Sequence, residues 1–173
     1  AIQYAALLPF LVFVCVGTAT QTEVMEQIDL MYSLIDRQVD AIVLVPIDSK
    51  AVVQPVVEAA RKGMPVINID IRLDARLLEQ AGVEVAFVGP DNFTAAYGVG
   101  KLLSKKLQVR DEVAIIEGLA VADNAQQRKK GFLRAIEEKG LQLVASEPAD
   151  WETSKAAEVF QTLWTRHPDL KAV

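Results

Sequence analysis

The chain has 173 residues, of which 51% are hydrophobic, and a formal net charge of −5 at pH 7. This length and apolar content suffice for one sizeable domain or for two small ones with cores of their own. The negative charge argues against a nucleic-acid partner, which needs a basic surface to displace counterions from phosphates. Since His167 is the single histidine, catalytic triads and zinc sites built on histidine are also disfavoured.

The most apolar segment is the beginning of the chain, residues 1–16 (AIQYAALLPFLVFVCV). It is shorter than the ~20 residues of a membrane-spanning helix, contains Pro9 and has no basic flank, so a membrane span is disfavoured. We interpret the segment as one or two buried strands, with Cys15 as a core thiol. A residual signal-peptide core is the alternative interpretation.

From residue 22 onward, helix-like and strand-like patterns alternate. Residues 22–38 have apolar side chains at spacings of three and four, which share one face of a helix, and residues 41–46 form a continuous apolar run typical of a buried strand. Further strands are predicted at 65–70, 83–89, 112–118, 141–146 and in the last three residues, and further helices at 50–63, 72–82, 91–107, 124–140 and 155–167.

The helix at 50–63 carries its own boundary signals. Asp48 and Ser49 precede it as expected caps, and Gly63 ends it. Pro55 either kinks this helix or starts its regular part, because proline lacks the N–H that a helix interior needs.

Alternating strands and helices in units of about 30 residues predict right-handed βαβ crossovers and parallel sheets flanked by helices. The fold class is therefore α/β. The basic, polar connection at 103–112 separates two such groups, and we predict an N-terminal lobe over 1–108 and a partial C-terminal lobe over 109–173.

Ligands of open parallel sheets bind beyond the carboxyl ends of the strands, so the residues just after each strand are the candidates for a site. They comprise carboxylates, amides, guanidiniums and one indole, a set that favours an uncharged polyhydroxylated ring. For Asp48 and Asn124 helix capping is the alternative role, and for Trp151 the cover of a helix end. The candidates are Pro46, Asp48, Asp70, Arg72, Asp91, Asn92, Asp123, Asn124, Arg128, Asp150 and Trp151.

Several motifs together resemble one protein family. They are DAIVLVPIDSKAVVQPVVEAARKGMPVINID, FVGPDNFTAAYGVGKLLSKKL, VAIIEG with QRKKGF after it, and LVASEPADW followed by a helix and HPDLKAV. From about Thr18 to Val173 the chain resembles the periplasmic sugar-binding proteins of the ribose-binding type, and in RLDARLLEQAGVEVAFVGPDN their allose-binding branch. The resemblance implies the type 1 periplasmic binding protein fold, with two Rossmann-like lobes, of which the second is truncated here.

The resemblance also implies roles for individual residues. Asp91 matches an aspartate that accepts hydrogen bonds from sugar hydroxyls, Arg128 an arginine that donates a fork of hydrogen bonds, and Trp151 an aromatic residue that stacks on the sugar ring. Phe10 is either a remnant of a ligand-contacting loop or a chance match. Three further candidates, taken from the strand ends, are Asp70, Arg72 and Asn124.

The implied function is non-enzymatic binding of an allose-like or ribose-like monosaccharide in the periplasm, for the membrane permease of an ABC transporter. The two lobes would close over the sugar, with no cofactor and no metal. The alternatives are the sugar-sensing core of a LacI-type transcriptional regulator, which an upstream helix-turn-helix would distinguish, and a fragment without binding activity. A nucleotide-binding enzyme is disfavoured because YGVGKLL at 97–103 has neither phosphate-loop spacing.

The sequence departs from the family in two places. Only 16 residues precede the GTAT turn, too few for a strand, a helix and a second strand, so the family's first helix is expected to be missing. The chain also ends where the family continues into the rest of the second lobe. The sheet edges left unpaired would favour self-association or pairing with a complementary chain.

Overall fold

The computed structural model of the protein describes residues 12–173. Helices and strands alternate through this part of the chain, as the sequence predicts. In chain order they are α1 (Val24–Asp36), β1 (Ile42–Leu44), α2 (Val53–Arg61), β2 (Val66–Ile69), α3 (Ala75–Ala81), β3 (Ala86–Val88), α4 (Asn92–Ser104), β4 (Glu112–Glu117), α5 (Asp123–Lys139), β5 (Gln142–Pro148), α6 (Thr153–Arg166) and β6 (Leu170–Ala172).

The strands form two separate parallel sheets of three strands each within the described residues. The first sheet has the order β1-β2-β3 and the second has the order β5-β4-β6. Every strand pair is parallel, which requires a crossover between consecutive partners. The predicted α/β class with parallel, helix-flanked sheets is thereby confirmed.

The main core lies between the first sheet and helices α1 and α2. Val52 and Val56 are completely buried, and they pack with the inward-facing residues Ile42 and Leu44 of β1. A smaller core lies in the second sheet, where Leu163 of α6 packs on β4 and β6. Each sheet therefore has its own apolar core, as expected for two α/β groups.

The helix after β1 begins with its proline in the first turn. Pro55 is the third residue of α2, where its missing N–H has no helical partner to lose, so it starts the helix rather than kinking it. Asp48 is not the cap of this helix: the N-cap position is Val52, which has no side-chain cap hydrogen bond, and Asp48 Oδ1 accepts from the N–H groups of Lys50 and Ala51 in the turn before the helix. The prediction for Ser49 is wrong: its hydroxyl oxygen accepts from the Asp123 N–H at the start of α5.

Helices α4 and α5 cross at glycines. A Cβ atom added at Gly131 would lie 2.5 Å from the Phe93 carbonyl oxygen and 2.7 Å from the Tyr97 backbone nitrogen. A Cβ atom added at Gly100 would lie 2.7 Å from the Ala135 Cβ. Helix α4 therefore packs closely on a helix of the second group, and the lobe boundary near residue 109 stays a prediction.

The α4–α5 contact also contains a charged cluster around Glu138. Its carboxylate accepts hydrogen bonds from the Tyr97 hydroxyl at 2.7 Å, the Lys101 ammonium at 3.1 Å and the Arg134 Nε at 2.7 Å. These donors, the Tyr97 hydroxyl first, lower the pKa of Glu138 from its ordinary value to about 2. The carboxylate is thus held ionised across the helix pair.

The prediction for the N-terminal segment is wrong where the structure describes it. Residues 12–17 belong to neither a helix nor a strand, Val12 and Phe13 are 83% and 67% exposed, and Cys15 is exposed rather than a core thiol. Val43 and Ile67 of the first sheet are exposed as well, so no apolar core covers that face of the sheet among residues 12–173. Residues 1–11, including Phe10, lie outside the described residues.

In the part of the chain from residue 12 onward, no helix has the length and apolar character needed to cross a membrane. Nor do the histidine, cysteine and acidic residues of this part form a group of three or more that could hold a metal ion.

We predict that Gly131→Ala lowers the free energy of unfolding by about 2 kcal/mol or more, because the new methyl group meets backbone atoms of α4 that cannot move independently. Gly98→Ala in the same helix pair is the control, since an added Cβ there meets nothing within 4 Å. It should be neutral or stabilising by about 1 kcal/mol. Urea unfolding of both variants checks the prediction, and equal stabilities would contradict it.

We predict that the stabilising contribution of Glu138 depends on pH. Because its pKa is lowered in the folded protein, the contribution is fully present above the unfolded pKa of about 4.5 and is lost as the pH falls towards 2. Unfolding free energies of the wild type and Glu138→Gln, measured from pH 7 to pH 2, should therefore converge at the acid end. A difference that is independent of pH would contradict this account.

Candidate functional site

One cleft of about 640 Å³ lies at the carboxyl ends of β1 and β2 and faces loops that follow β4 and β5. This volume suits a small ligand. Its walls come from β1, helix α1 and residues 15–21 on one side and from helix α5 and Trp151 on the other. A position beyond the strand ends is where ligands of parallel sheets bind. Five of the predicted residues line it: Pro46, Asp70, Asn124, Arg128 and Trp151.

The other predicted residues that the structure describes do not line this cleft. Asp91 caps helix α4, and hydrogen bonds from the backbone N–H and the hydroxyl of Thr94 occupy its two carboxylate oxygens and lower its pKa. The Arg72 guanidinium lies 3.9 Å from the centre of the Phe87 ring. Neither Asp91 nor Arg72 lines the cleft.

Asp70 reaches the cleft because the backbone at the end of β2 turns sharply. Its φ of 62° lies in the left-handed region, which costs a residue with a side chain about 1–3 kcal/mol. Asn68, which is buried on β2 just before this bend, holds it in place: its amide donates to the Ile71 carbonyl at 2.8 Å and accepts from the Leu73 N–H at 2.9 Å. The strained bend is thus fixed from inside the core.

Arg128 is oriented by a buried amide. Its Nε donates to Asn92 Oδ1 at 2.8 Å, and Asn92 is only 7% exposed. Among the described residues no other hydrogen bond or ion pair holds this guanidinium, so its two terminal NH₂ groups remain available for a ligand in the cleft.

Trp151 follows β5 in a strained turn. Asp150 and Trp151 have φ values of 52° and 60°, and the Glu152 N–H donates to the Ala149 carbonyl at 2.8 Å across them. Positive φ at both central residues is the pattern of a type I′ turn, which favours asparagine, aspartate or glycine over a bulky aromatic residue. Contacts with the surrounding structure must therefore hold Trp151 in this unfavourable conformation, as is common at functional sites.

An apolar cluster behind Trp151 joins the two sheets. Ile47 and Ile71 follow strands of the first sheet and pack with residues that follow β4 of the second. Trp151 is half-buried against this cluster. We name it the bridging cluster; its buried members are Ile47, Ile71, Leu119, Ala122 and Ala125.

Ser49 adds hydrogen bonds beside the bridging cluster. Its N–H donates to the Val121 carbonyl at 3.1 Å, and its hydroxyl accepts from the Asp123 N–H at 2.9 Å. The N-cap position of α5 is Ala122, which has no side-chain acceptor, so Ser49 supplies from the first sheet the acceptor that this helix end lacks.

The sequence reasoning missed Gln27, which also lines the cleft. Its side-chain amide donates to the Val45 carbonyl and accepts from the Ile47 N–H, both at 2.8 Å, so it ties α1 to the end of β1. Gln27 belongs to a helix rather than a strand end. Its position off the apolar face of α1 was the available signal, but many solvent-facing residues share that position.

Glu117 is the last residue of β4. Burial raises its pKa, but hydrogen bonds from the Lys129 ammonium and the Ser146 hydroxyl outweigh burial, and the pKa lies below its ordinary value. With Trp151, Arg128 and Lys129 it borders a second cavity of about 420 Å³. The charge of Glu117 is thus neutralised within the protein.

The fold is of a two-sheet α/β type with a cleft beyond the strand ends, and the comparisons with known proteins agree with this fold. The family model for the periplasmic binding protein domain matches residues 3–173, so the chain belongs to this family. The family consists of binding proteins of transporters, not enzymes, as the sequence predicts.

Two of the curated relatives show how similar the chain is to named proteins. The D-ribose/D-allose-binding protein of Pseudomonas aeruginosa is 42% identical over 157 residues, which cover 91% of this chain and 49% of the relative. The D-allose-binding periplasmic protein of Escherichia coli is 34% identical over 160 residues, which cover 91% and 51%. The chain thus spans about half the length of these curated relatives.

Solved structures also share the fold, among them the following two. An ABC transporter solute-binding protein of Burkholderia multivorans has a TM-score of 0.93 and 38% identity, with coverage of 98% of this chain and 60% of the other. A periplasmic solute-binding protein of Actinobacillus succinogenes with bound D-allose has a TM-score of 0.84 and 34% identity, with coverage of 99% and 60%. The predicted type 1 periplasmic binding protein fold is confirmed for the part that the chain spans.

We predict that Ser49→Ala lowers the free energy of unfolding by about 1–2 kcal/mol, because it leaves the Asp123 N–H at the start of α5 without its acceptor. Ser33→Ala is the matched control, since Ser33 lies exposed in the middle of α1. Chemical denaturation of the two variants measures the difference, and a Ser49→Ala variant as stable as Ser33→Ala would contradict the role assigned to the hydroxyl.

Proposed function

We propose that the protein binds a monosaccharide in the cleft between its two sheets, as the sugar-binding component of an ABC-type importer in the periplasm. The observation that carries the proposal is the cleft itself, which brings Asp70, Arg128 and Trp151 together from three separate segments. A carboxylate, a guanidinium fork and an indole can together bind two neighbouring hydroxyls and one apolar ring face.

Each residue has a proposed role that its geometry supports. Arg128 donates from its free NH₂ groups to sugar hydroxyls, and Asp70 accepts from them. Trp151 stacks on the face of the ring, with the bridging cluster behind it. Asn124 is buried at 3% exposure on the cleft wall and is proposed as a further partner, while Asp91, Arg72 and Phe10 stay predictions.

The names of the relatives support an aldose of the allose or ribose type as the ligand. One relative is named for D-ribose and D-allose, another for D-allose, and a solved relative holds D-allose.

A membrane permease is the proposed partner. None of these relatives favours the alternative of a LacI-type regulator core. Association through the outer edges of the sheets, β1 and β3 in the first and β5 and β6 in the second, stays a prediction.

We predict that Trp151→Ala weakens sugar binding at least tenfold, about 1.4 kcal/mol, because the stacking surface is lost. Asp48→Ala is the control, since Asp48 caps a turn outside the cleft and should change the affinity less than twofold. Calorimetric titration with D-allose, D-ribose and D-arabinose measures both. Equal losses in the two variants would contradict the stacking role, and no binding of any sugar by the folded wild type would support the fragment without binding activity.

A further inference from the structure

Gly118 and Trp151 are in unusually close contact. A Cβ atom added at Gly118 would lie 2.2 Å from Trp151 Nε1, 2.4 Å from Cε2 and 2.8 Å from Cζ2. Real Cβ atoms do not approach other atoms so closely, so no side chain fits at residue 118 while the indole stays in place. The edge of the indole therefore lies directly on the backbone that follows β4.

Residue 118 is glycine because a side chain would lack space, and not because of its backbone conformation. Gly63, Gly82 and Gly140 have φ values in the left-handed region, where a side chain is strained, but Gly118 does not. Its backbone could therefore accommodate an alanine. The obstacle is the indole alone, which makes Trp151 the reason for a glycine at this position.

The turn that carries Trp151 is fastened to the same strand end. The Ala149 N–H donates to the Glu117 carbonyl at 2.9 Å, next to Gly118, and Lys155 forms an ion pair with Asp150 in the turn. The positive φ values of Asp150 and Trp151 direct the indole back onto Gly118 rather than away from it. The turn and the end of β4 together thus fix the Trp151 indole in one orientation.

We propose that Gly118 is a positioning residue: by lacking a side chain, it seats the Trp151 indole in a fixed orientation before a ligand enters the cleft. The inference rests on the proposed function, because it takes Trp151 as the surface that faces the sugar. A ring that is already oriented loses little freedom on binding, which favours affinity. We call this contact surface the Trp151 seat. It consists of Gly118, the Ala149–Glu152 turn and the bridging cluster.

Gly118→Ala should move the indole without unfolding the protein. The cavity of about 420 Å³ beside Gly118 and Trp151 offers space for the displaced ring. Trp164, the other tryptophan, is 59% exposed, so Trp164→Phe leaves Trp151 as the sole indole fluorophore.

In this background we expect Gly118→Ala to shift the Trp151 emission to longer wavelength, to raise its quenching by acrylamide about twofold, and to weaken sugar binding at least tenfold. Gly98→Ala, at a glycine with open space around it, should leave all three unchanged. An unchanged Trp151 emission in Gly118→Ala would overturn the proposal.

A double-mutant cycle with Trp151→Ala tests the contact without any sugar. Gly118→Ala should lower the urea midpoint when the indole is present and leave it nearly unchanged when the indole is absent. If Gly118→Ala alone does not fold, recovery of folding in the Gly118→Ala/Trp151→Ala variant supports the seat. The same loss in both backgrounds overturns it. Since this cycle needs no ligand, a wild type that binds no sugar would contradict the proposed function without changing what the cycle says about the seat.

Discussion

The packing between loops that follow β1 and β2 and loops that follow β4 and β5 holds the whole site together. The bridging cluster and the Ser49 hydrogen bonds join two sheets that share no strand. Each sheet has a core of its own and could exist without a cleft. Because their carboxyl ends are fixed towards each other, side chains from three distant segments line one cavity.

Strained backbone occurs beside this cavity, although Gln38 and Arg110, which also have positive φ, do not line it. Asp70, Asp150 and Trp151 all have positive φ, and all three lie directly after strands. Their conformations are compensated by neighbouring contacts: the buried Asn68 amide beside Asp70, and the Glu117 carbonyl and Lys155 beside the turn of Trp151. Asp70 and Trp151 line the cleft because the contacts behind them hold an unfavourable local geometry.

Other close contacts serve the fold rather than the cleft. Helices α4 and α5 approach each other at Gly100 and Gly131, with the ionised Glu138 carboxylate held between donors of both helices. This contact attaches α4, which follows the first sheet in the chain, to a helix of the second group. The Asn92 amide at the start of α4 then reaches Arg128 on α5 and orients its guanidinium. Close helix packing and ligand-site geometry are thus linked through one side chain.

The sequence by itself determined the alternation of elements from residue 22 onward, because apolar periodicity, glycine ends and proline positions are local signals. It also placed Arg128 and Trp151 after strands, which is a consequence of chain order. Only the tertiary structure decided that Asp70 enters the cleft while Asp91 caps a helix, since both follow a strand and their difference is a backbone angle. Likewise, Cys15 is exposed although its neighbours are apolar, because burial requires a partner surface, and local hydrophobicity does not supply one.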